Sequence, residues 1–498
     1  MASLSSQIST SRGVGLPVAS PNADGGSIDA SARLPVLLFV SASAGWLLIG
    51  TVFALISSFK LHAPGFLGDV EMLTFGRVKG AESAVLTYGW GFNAAFALVL
   101  WLLARLSRAE IGKPILLLVA GLFWNFGVLL GMLGILAGHG TSLEWMEMPG
   151  YAGPLLFGAY LFIGTWALLT FRAGRSSQVY ITQWYLLAAL LWFPWIFSIA
   201  QIMLLIDPAR GTIQSLVHGW YSHGLLTLWF GPIGIGAIYY FLPKLLSRPI
   251  SNYYLSGYGF WTLAIFGGWV GATRLIGGPV PAWVVTSGIA ASFMLAVPIV
   301  VLAVNFFPTM IGSPAALRRD WSFHFIAVGA VALVGASMVA MVLNLRGVAS
   351  VFQFTFLQTA QSNLTTYGFF SMVAFGSLYY ILPRVTGRSF PLPSLLGFHF
   401  WTSSIGCGLS VAGLALAGYE QGIAMNTLPG GPESAVVPFL DIVQRLLPYL
   451  FTQTLATVVL VAAHLAFVVN VGWLILSCAD RTSAAPSALR TPLEAAAR

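Results

Sequence analysis

The feature that most limits what this chain can become is a recurring rhythm of long apolar runs. Windows of about 20 apolar residues fall near 34–59, 83–106, 114–138, 151–173, 180–205, 216–243, 257–278, 284–306, 323–346, 361–384, 394–419 and 452–477, each long enough to cross a bilayer as a helix. Composition agrees, because 57% of the 498 residues are hydrophobic and only 8% charged, against roughly a quarter charged in soluble domains. The expected fold class is all-α and integral to the membrane, with about twelve transmembrane helices. The Ser-, Gly- and Ala-rich residues 1–30 read as a disordered tail without a signal peptide's apolar core. Residues 31–479 read as one membrane domain, and 480–498 as a second tail.

The formal charge of +8 does not indicate nucleic acid, since Lys and Arg are scattered at helix ends rather than gathered in one patch. It reads as a topology signal. Arg105, Arg108, Lys113, Arg172, Arg175, Lys244, Arg248, Arg318, Arg319, Arg384 and Arg388 follow helices two, four, six, eight and ten, which predicts both termini on the cytoplasmic side. The opposite loops, Leu61 to Glu82, His139 to Gly150 and Tyr419 to Pro448, are longer and more acidic, and are expected to dock a partner. With Cys407 and Cys478 as the two cysteines, there is no disulfide framework, and without Cys-x-x-Cys-His no attached c-type haem.

Residues 218–249, HGWYSHGLLTLWFGPIGIGAIYYFLPKLLSRP, resemble the sixth helix of subunit I in the cbb3-type cytochrome c oxidases of the haem-copper oxidase superfamily. Other segments are similar in the same order. LTFGRVKGAESAV (73–85) resembles the start of the family's helix two, LYYILPRVTGR (378–388) the end of helix ten, and FHFW (398–401) with AGYEQG (417–422) helix eleven and its loop. The resemblance implies a ring of helices in the bacterial cytoplasmic (inner) membrane, two b-type haems, a copper ion, and c-type cytochrome subunits docking on the outer face.

Such centres take nitrogen ligands, and two opposed histidines hold a low-spin haem. By resemblance, His223 stands at a copper-ligand position, but the adjacent pair of copper-binding histidines falls on Thr273 and Arg274, and the catalytic tyrosine on Gly267. The family's two haem ligands in helix ten, facing opposite sides, fall on Gln361 and Asn363, and the remaining one, in helix two, on Glu82. Five of six ligand positions thus carry other residues. The remaining histidines do not rebuild a set: His218 and His223 stand roughly 140° apart around a helix, and His324, His399 and His464 read as single structural imidazoles.

Charged groups inside a membrane are expensive, so Glu82 and Arg274 need an explanation. One expectation is a polar network of Glu82, Arg274, Gln361 and Asn363 replacing metal bonds, with Tyr88, Trp90, Tyr367 and Phe369 filling the haem space; the other is that Glu82 and Arg274 snorkel to water from helix ends. Tyr239, Tyr240, Tyr253 and Ser256 could form a remnant proton path, or interfacial anchors. The resulting expectation is a degenerate, non-catalytic oxidase-like subunit. Its alternatives are an active terminal oxidase or nitric oxide reductase with divergent ligation of haem b and copper, and a transporter of protons or small solutes reusing the fold.

Overall fold

The computed structural model describes residues 23–174, 178–311, 320–426 and 438–483. Arg175, Arg318, Arg319 and most of both expected tails lie outside the described residues. Every apolar window lies on helix, or runs into adjoining turns. The long helices are α1 Ala23–His62, α2 Phe75–Ser107, α3 Pro114–His139, α4 Gly153–Arg172, α5 Ile181–Ile206, α6 Thr212–Leu246, α7 Ser256–Phe266, α8 Ala282–Ile311, α9 Trp321–Leu343, α10 at 356–386, α11 Ser394–Asn426 and α12 Phe439–Ser483. Ten of these are long and apolar enough to cross a membrane. The other two are α7 and α10, and both depart from plain α-helix.

Helix α7 was expected to run to 278, but its α-helical turns stop at Phe266 and tight turns continue over Val270–Leu275. The cause is a close approach of backbones: a Cβ on Gly271 would lie 2.6 Å from the Gly219 carbonyl oxygen and the Trp220 Cα on α6. That contact sets the positions of Thr273 and Arg274. Other expected boundaries also shift. The loop expected from Leu61 to Glu82 already turns into α2 at Phe75, and much of the one from Tyr419 to Pro448 extends α11 and α12, its residues 427–437 lying outside the described residues. Residues 23–30, expected in the tail, are the first turns of α1. They are held by tertiary contacts, since Trp101 Nε1 donates to Asp29 Oδ1 at 3.0 Å and Arg105 Nη1 to the Gly25 carbonyl at 2.8 Å.

Three helices form the centre. Within the most apolar windows of α2 and α6, 94% and 83% of residues are buried, far more than lipid-facing helices require, and residues 372–379 of α10 are buried without a break. Each carries a widened π-helical turn: Val85–Gly91, Leu225–Phe230 and Leu364–Ser371. The three turns meet. Trp90 Nε1 donates to Ser371 Oγ at 3.0 Å, the rings of Phe230 and Phe370 lie 4.5 Å apart, and Gly91 lies against the Phe230 ring. At the other end Trp101, Tyr240 and Tyr380 meet edge to face near Arg105 and Arg384.

Close packing of α10 against α9 depends on Gly376, where a Cβ would come within 2.7 Å of the Ser322 carbonyl oxygen. Gly376→Leu is therefore expected to cost on the order of 1–3 kcal/mol or more, read as a lower thermal midpoint of the purified protein. Gly472→Leu, where nothing lies within 4 Å, should change it little.

Candidate functional site

Two cavities flank α10. The larger, about 470 Å³, lies between α1, α2, α10, α11 and α12 under the loop 140–152, and Glu82 and Asn363 are in its wall. The smaller, about 180 Å³, lies between α6, α7, α8, α9 and α10, and His223, Thr273, Arg274 and Gln361 are in its wall. Ser362 touches both. Residues two apart on α10 thus look into opposite chambers, because two helical steps turn a side chain through roughly 200°.

The widened turns begin just beyond these residues. On α2 the turn starts three residues after Glu82, on α6 two after His223, and on α10 directly after Asn363. A π turn inserts a residue into the helical ladder and re-aims what precedes it, which is why such turns gather at functional sites.

The four residues expected to form one network belong to different chambers and bind other partners. Glu82 accepts from Lys79 Nζ at 2.8 Å and from Ser57 Oγ at 2.5 Å; Asn363 Nδ2 donates to Ser410 Oγ at 3.2 Å. Gln361 Nε2 donates to Thr365 Oγ1 at 3.1 Å, and Arg274 Nη1 pairs with Glu144 Oε2 at 2.7 Å. No hydrogen bond joins any two of the four, since α10 stands between the pairs and each finds a nearer donor or acceptor. Nor do the expected aromatic fillers close the space: Trp90 and Tyr367 line the larger chamber and Phe369 the smaller. Tyr88 lines neither, and instead shares a 2.5 Å hydrogen bond with Tyr221.

Of the residues considered for a proton path, Tyr239 and Ser256 donate to the Asn305 side-chain oxygen at 2.8 and 3.0 Å. The Tyr253 ring sits edge-on to Tyr239 at 6.4 Å, and its hydroxyl accepts from Ile181 N. Tyr240 points away, towards Arg105.

Neither chamber has the two opposed imidazoles of a low-spin haem or the three of a copper site. The imidazole lining the larger one, His464, uses both ring nitrogens: Nδ1 meets Thr51 Oγ1 at 2.6 Å and Nε2 meets the Tyr367 hydroxyl at 2.8 Å. Thr51 and Tyr367 thus occupy both nitrogens, and neither is free to reach a metal without breaking a hydrogen bond between helices. In the smaller chamber His223 Nε2 is buried without a partner, but its neighbours Thr273 and Arg274 supply no nitrogen lone pair, and a guanidinium repels a metal cation. Among the described residues no group of three His, Cys, Asp or Glu side chains could hold a metal. A low-spin haem held by two imidazoles and a copper held by three therefore do not fit the residues present.

Sequence reasoning passed over the loop 140–152, seen only as an acidic docking surface. It folds inward. The Glu144 carbonyl accepts from His218 Nε2 at 3.1 Å, the Trp145 carbonyl from the Tyr88 hydroxyl at 2.7 Å, and Met146, Glu147 and Met148 are buried. Trp145 takes a left-handed conformation, φ 68°, rare outside glycine. Glu147 Oε1 accepts from Trp145 N at 3.0 Å, while Oε2 is buried with no partner. Burial pushes this carboxyl up to about 7. The spacing of Glu144 and Glu147 in a Trp- and Met-containing stretch was the available signal, but nothing local shows that the loop folds inward.

The chain matches the family described as Cytochrome C and Quinol oxidase polypeptide I over residues 35–459. It is 24% identical over 456 residues to a cytochrome c oxidase subunit 1 homolog of Agrobacterium tumefaciens (strain T37), covering 88% of this chain and 82% of that one. It is 22% identical over 397 residues to the cbb3-type cytochrome c oxidase subunit CcoN1 of Stutzerimonas stutzeri, covering 78% and 84%. A solved haem-copper terminal oxidase dimer superposes with a TM-score of 0.67 at 15% identity, over 91% of this chain and 84% of that chain.

Two outcomes follow from the geometry. The Arg274–Glu144 pair has side chains 32% and 47% exposed, so Arg274→Leu should lower stability by no more than about 1 kcal/mol, read by thermal unfolding with Glu144→Gln completing a double-mutant cycle. Glu147 binds its proton more tightly folded than unfolded, so its contribution is full below the unfolded value near 4.5 and is lost as pH rises through about 7. The thermal midpoint of the wild type relative to Glu147→Gln should therefore fall between about pH 4.5 and 7 and level off above. With fold and sequence in agreement over most of the chain, this integral membrane protein belongs to the cytochrome c and quinol oxidase polypeptide I family.

Proposed function

We propose that this chain is a non-catalytic member of its family, kept as a structural or docking subunit of a respiratory complex in the bacterial cytoplasmic membrane. The observation that carries the reading is the lining of the chambers. Glu82, Asn363, Gln361, Thr273 and Arg274 occupy the places where the resemblance expects imidazoles, and each but Thr273 is engaged by another side chain. Oxygen reduction needs iron, copper and a route for electrons, none of which amides, a carboxylate and a guanidinium provide. Fold and chemistry are separable.

The family works as part of multi-subunit assemblies, and the partner proposed here is a c-type cytochrome or another oxidase-like subunit on the outer face. Basic residues at the ends of α2, α6 and α10, including Arg105, Lys244 and Arg384, support an orientation with that end and both termini in the cytoplasm.

The test is the composition of the protein purified from its native membrane. Copper and b-type haem are expected well below one per polypeptide, with any c-type bands belonging to a co-purified cytochrome. Stoichiometric b-type haem would overturn the proposal.

A further inference from the structure

The larger chamber is an elongated slot rather than a sealed void. Along α10 it runs from Thr359 to Ser371, roughly 18 Å at 1.5 Å per residue, and its volume of about 470 Å³ lies within the range of small-molecule sites. Its two ends differ. The deep end is walled by Trp90, Phe230, Tyr367 and Phe370, together with Leu47 and Leu460. The mouth carries Lys79, Glu82, Glu144 and Glu147.

Pairing at the mouth leaves one charge over. Lys79 is bound to Glu82 at 2.8 Å, and Glu144 to Arg274 at 2.7 Å. Glu147 has no ion-pair partner; the Ser83 hydroxyl lies beside its carboxyl, and the buried Oε2 makes no hydrogen bond of ordinary geometry. The groups around it are Ser83, Glu82, Lys79 and Tyr88 of α2, Tyr221 of α6 and Glu144 of its own loop. None of these is a cation free to pair with it. Trp145 Nε1 and Gln453 Oε1, also in the wall, are buried without partners as well.

A buried carboxylate oxygen lacking a donor costs free energy that a ligand can recover. A ligand that recovers it here brings positive charge and N–H or similar donors to the mouth, and an apolar body to the aromatic floor. Haem is disfavoured by the same reasoning, since its two propionates would add negative charge beside an unpaired carboxylate.

We infer that the slot between α1, α2, α10 and α12 binds a monovalent amphipathic organic cation, its charge at Glu147 and its apolar body among Trp90, Phe230 and Phe370. This inference rests on the non-catalytic reading, because the same space would otherwise hold haem. The cation binds the ionised carboxyl, so its affinity follows the ionised fraction of Glu147.

The test uses the full-length protein in phosphatidylcholine nanodiscs, with haem content measured first on the same preparation. Binding of 4-phenylbutylammonium and of its neutral counterpart 4-phenylbutanol is read from quenching of tryptophan fluorescence. Saturable ammonium binding is expected, at least about tenfold tighter than the alcohol, rising about tenfold per pH unit well below pH 7 and levelling above it. Glu147→Gln should weaken it by about tenfold or more and remove the pH dependence. Leu460→Trp, which fills the slot without touching a charge, should abolish it. If Glu147→Gln does not fold, the wild-type pH profile and Leu460→Trp decide the matter. Equal binding of alcohol and ammonium, a flat pH profile, or unchanged affinity in a folded variant overturns the cation site. Stoichiometric haem overturns the non-catalytic reading instead, whereas a haem-free protein indifferent to the ammonium overturns only the site.

Discussion

The structure depends on the junction of α2, α6 and α10 at their widened turns. Trp90, Ser371, Phe230 and Phe370 lock three helices together at one depth, and glycines at 91 and 234 let the aromatic rings of neighbouring helices press against the backbone. Lipid offers apolar side chains no less comfort than protein does, so association inside a bilayer relies on close packing and on hydrogen bonds between helices. The remaining helices pack around this centre, and the two chambers are the gaps left on either side of α10.

That junction keeps its shape independently of the groups that line the chambers. A π turn costs helix regularity and persists where the packing around it demands the extra residue. Here the demand comes from the aromatic contacts between the turns, not from the groups just before them. Glu82, His223, Gln361 and Asn363 are therefore held in position whatever their identity, and substitution at those places changes what a chamber can bind without disturbing what shapes it. The loop 140–152 is anchored the same way, by main-chain carbonyls that accept from Tyr88, His218 and Ser222.

The membrane class, the helix windows and the family were legible because each rests on many residues at once: apolar length for the spans, and ordered motifs from Leu73 to Gly422 for the kinship. The opposite facing of Gln361 and Asn363 was also legible, since helical geometry fixes it. Less legible were the ends of elements. Residues 23–30 look like a polar tail until Trp101 and Arg105 are seen to hold Asp29 and Gly25, and α7 looks continuous until Gly271 meets Gly219.

By itself the sequence determined that this chain lives in a bilayer and that it shares a fold with the oxidases. Only the tertiary structure decided that Glu82 and Arg274 belong to separate chambers, that both ring nitrogens of His464 are engaged by hydroxyls, and that Glu147 is buried without an ion-pair partner. The reason is physical. Hydropathy and spacing are summed along the chain, whereas a charge is paired or left alone by whatever distant segment folds against it.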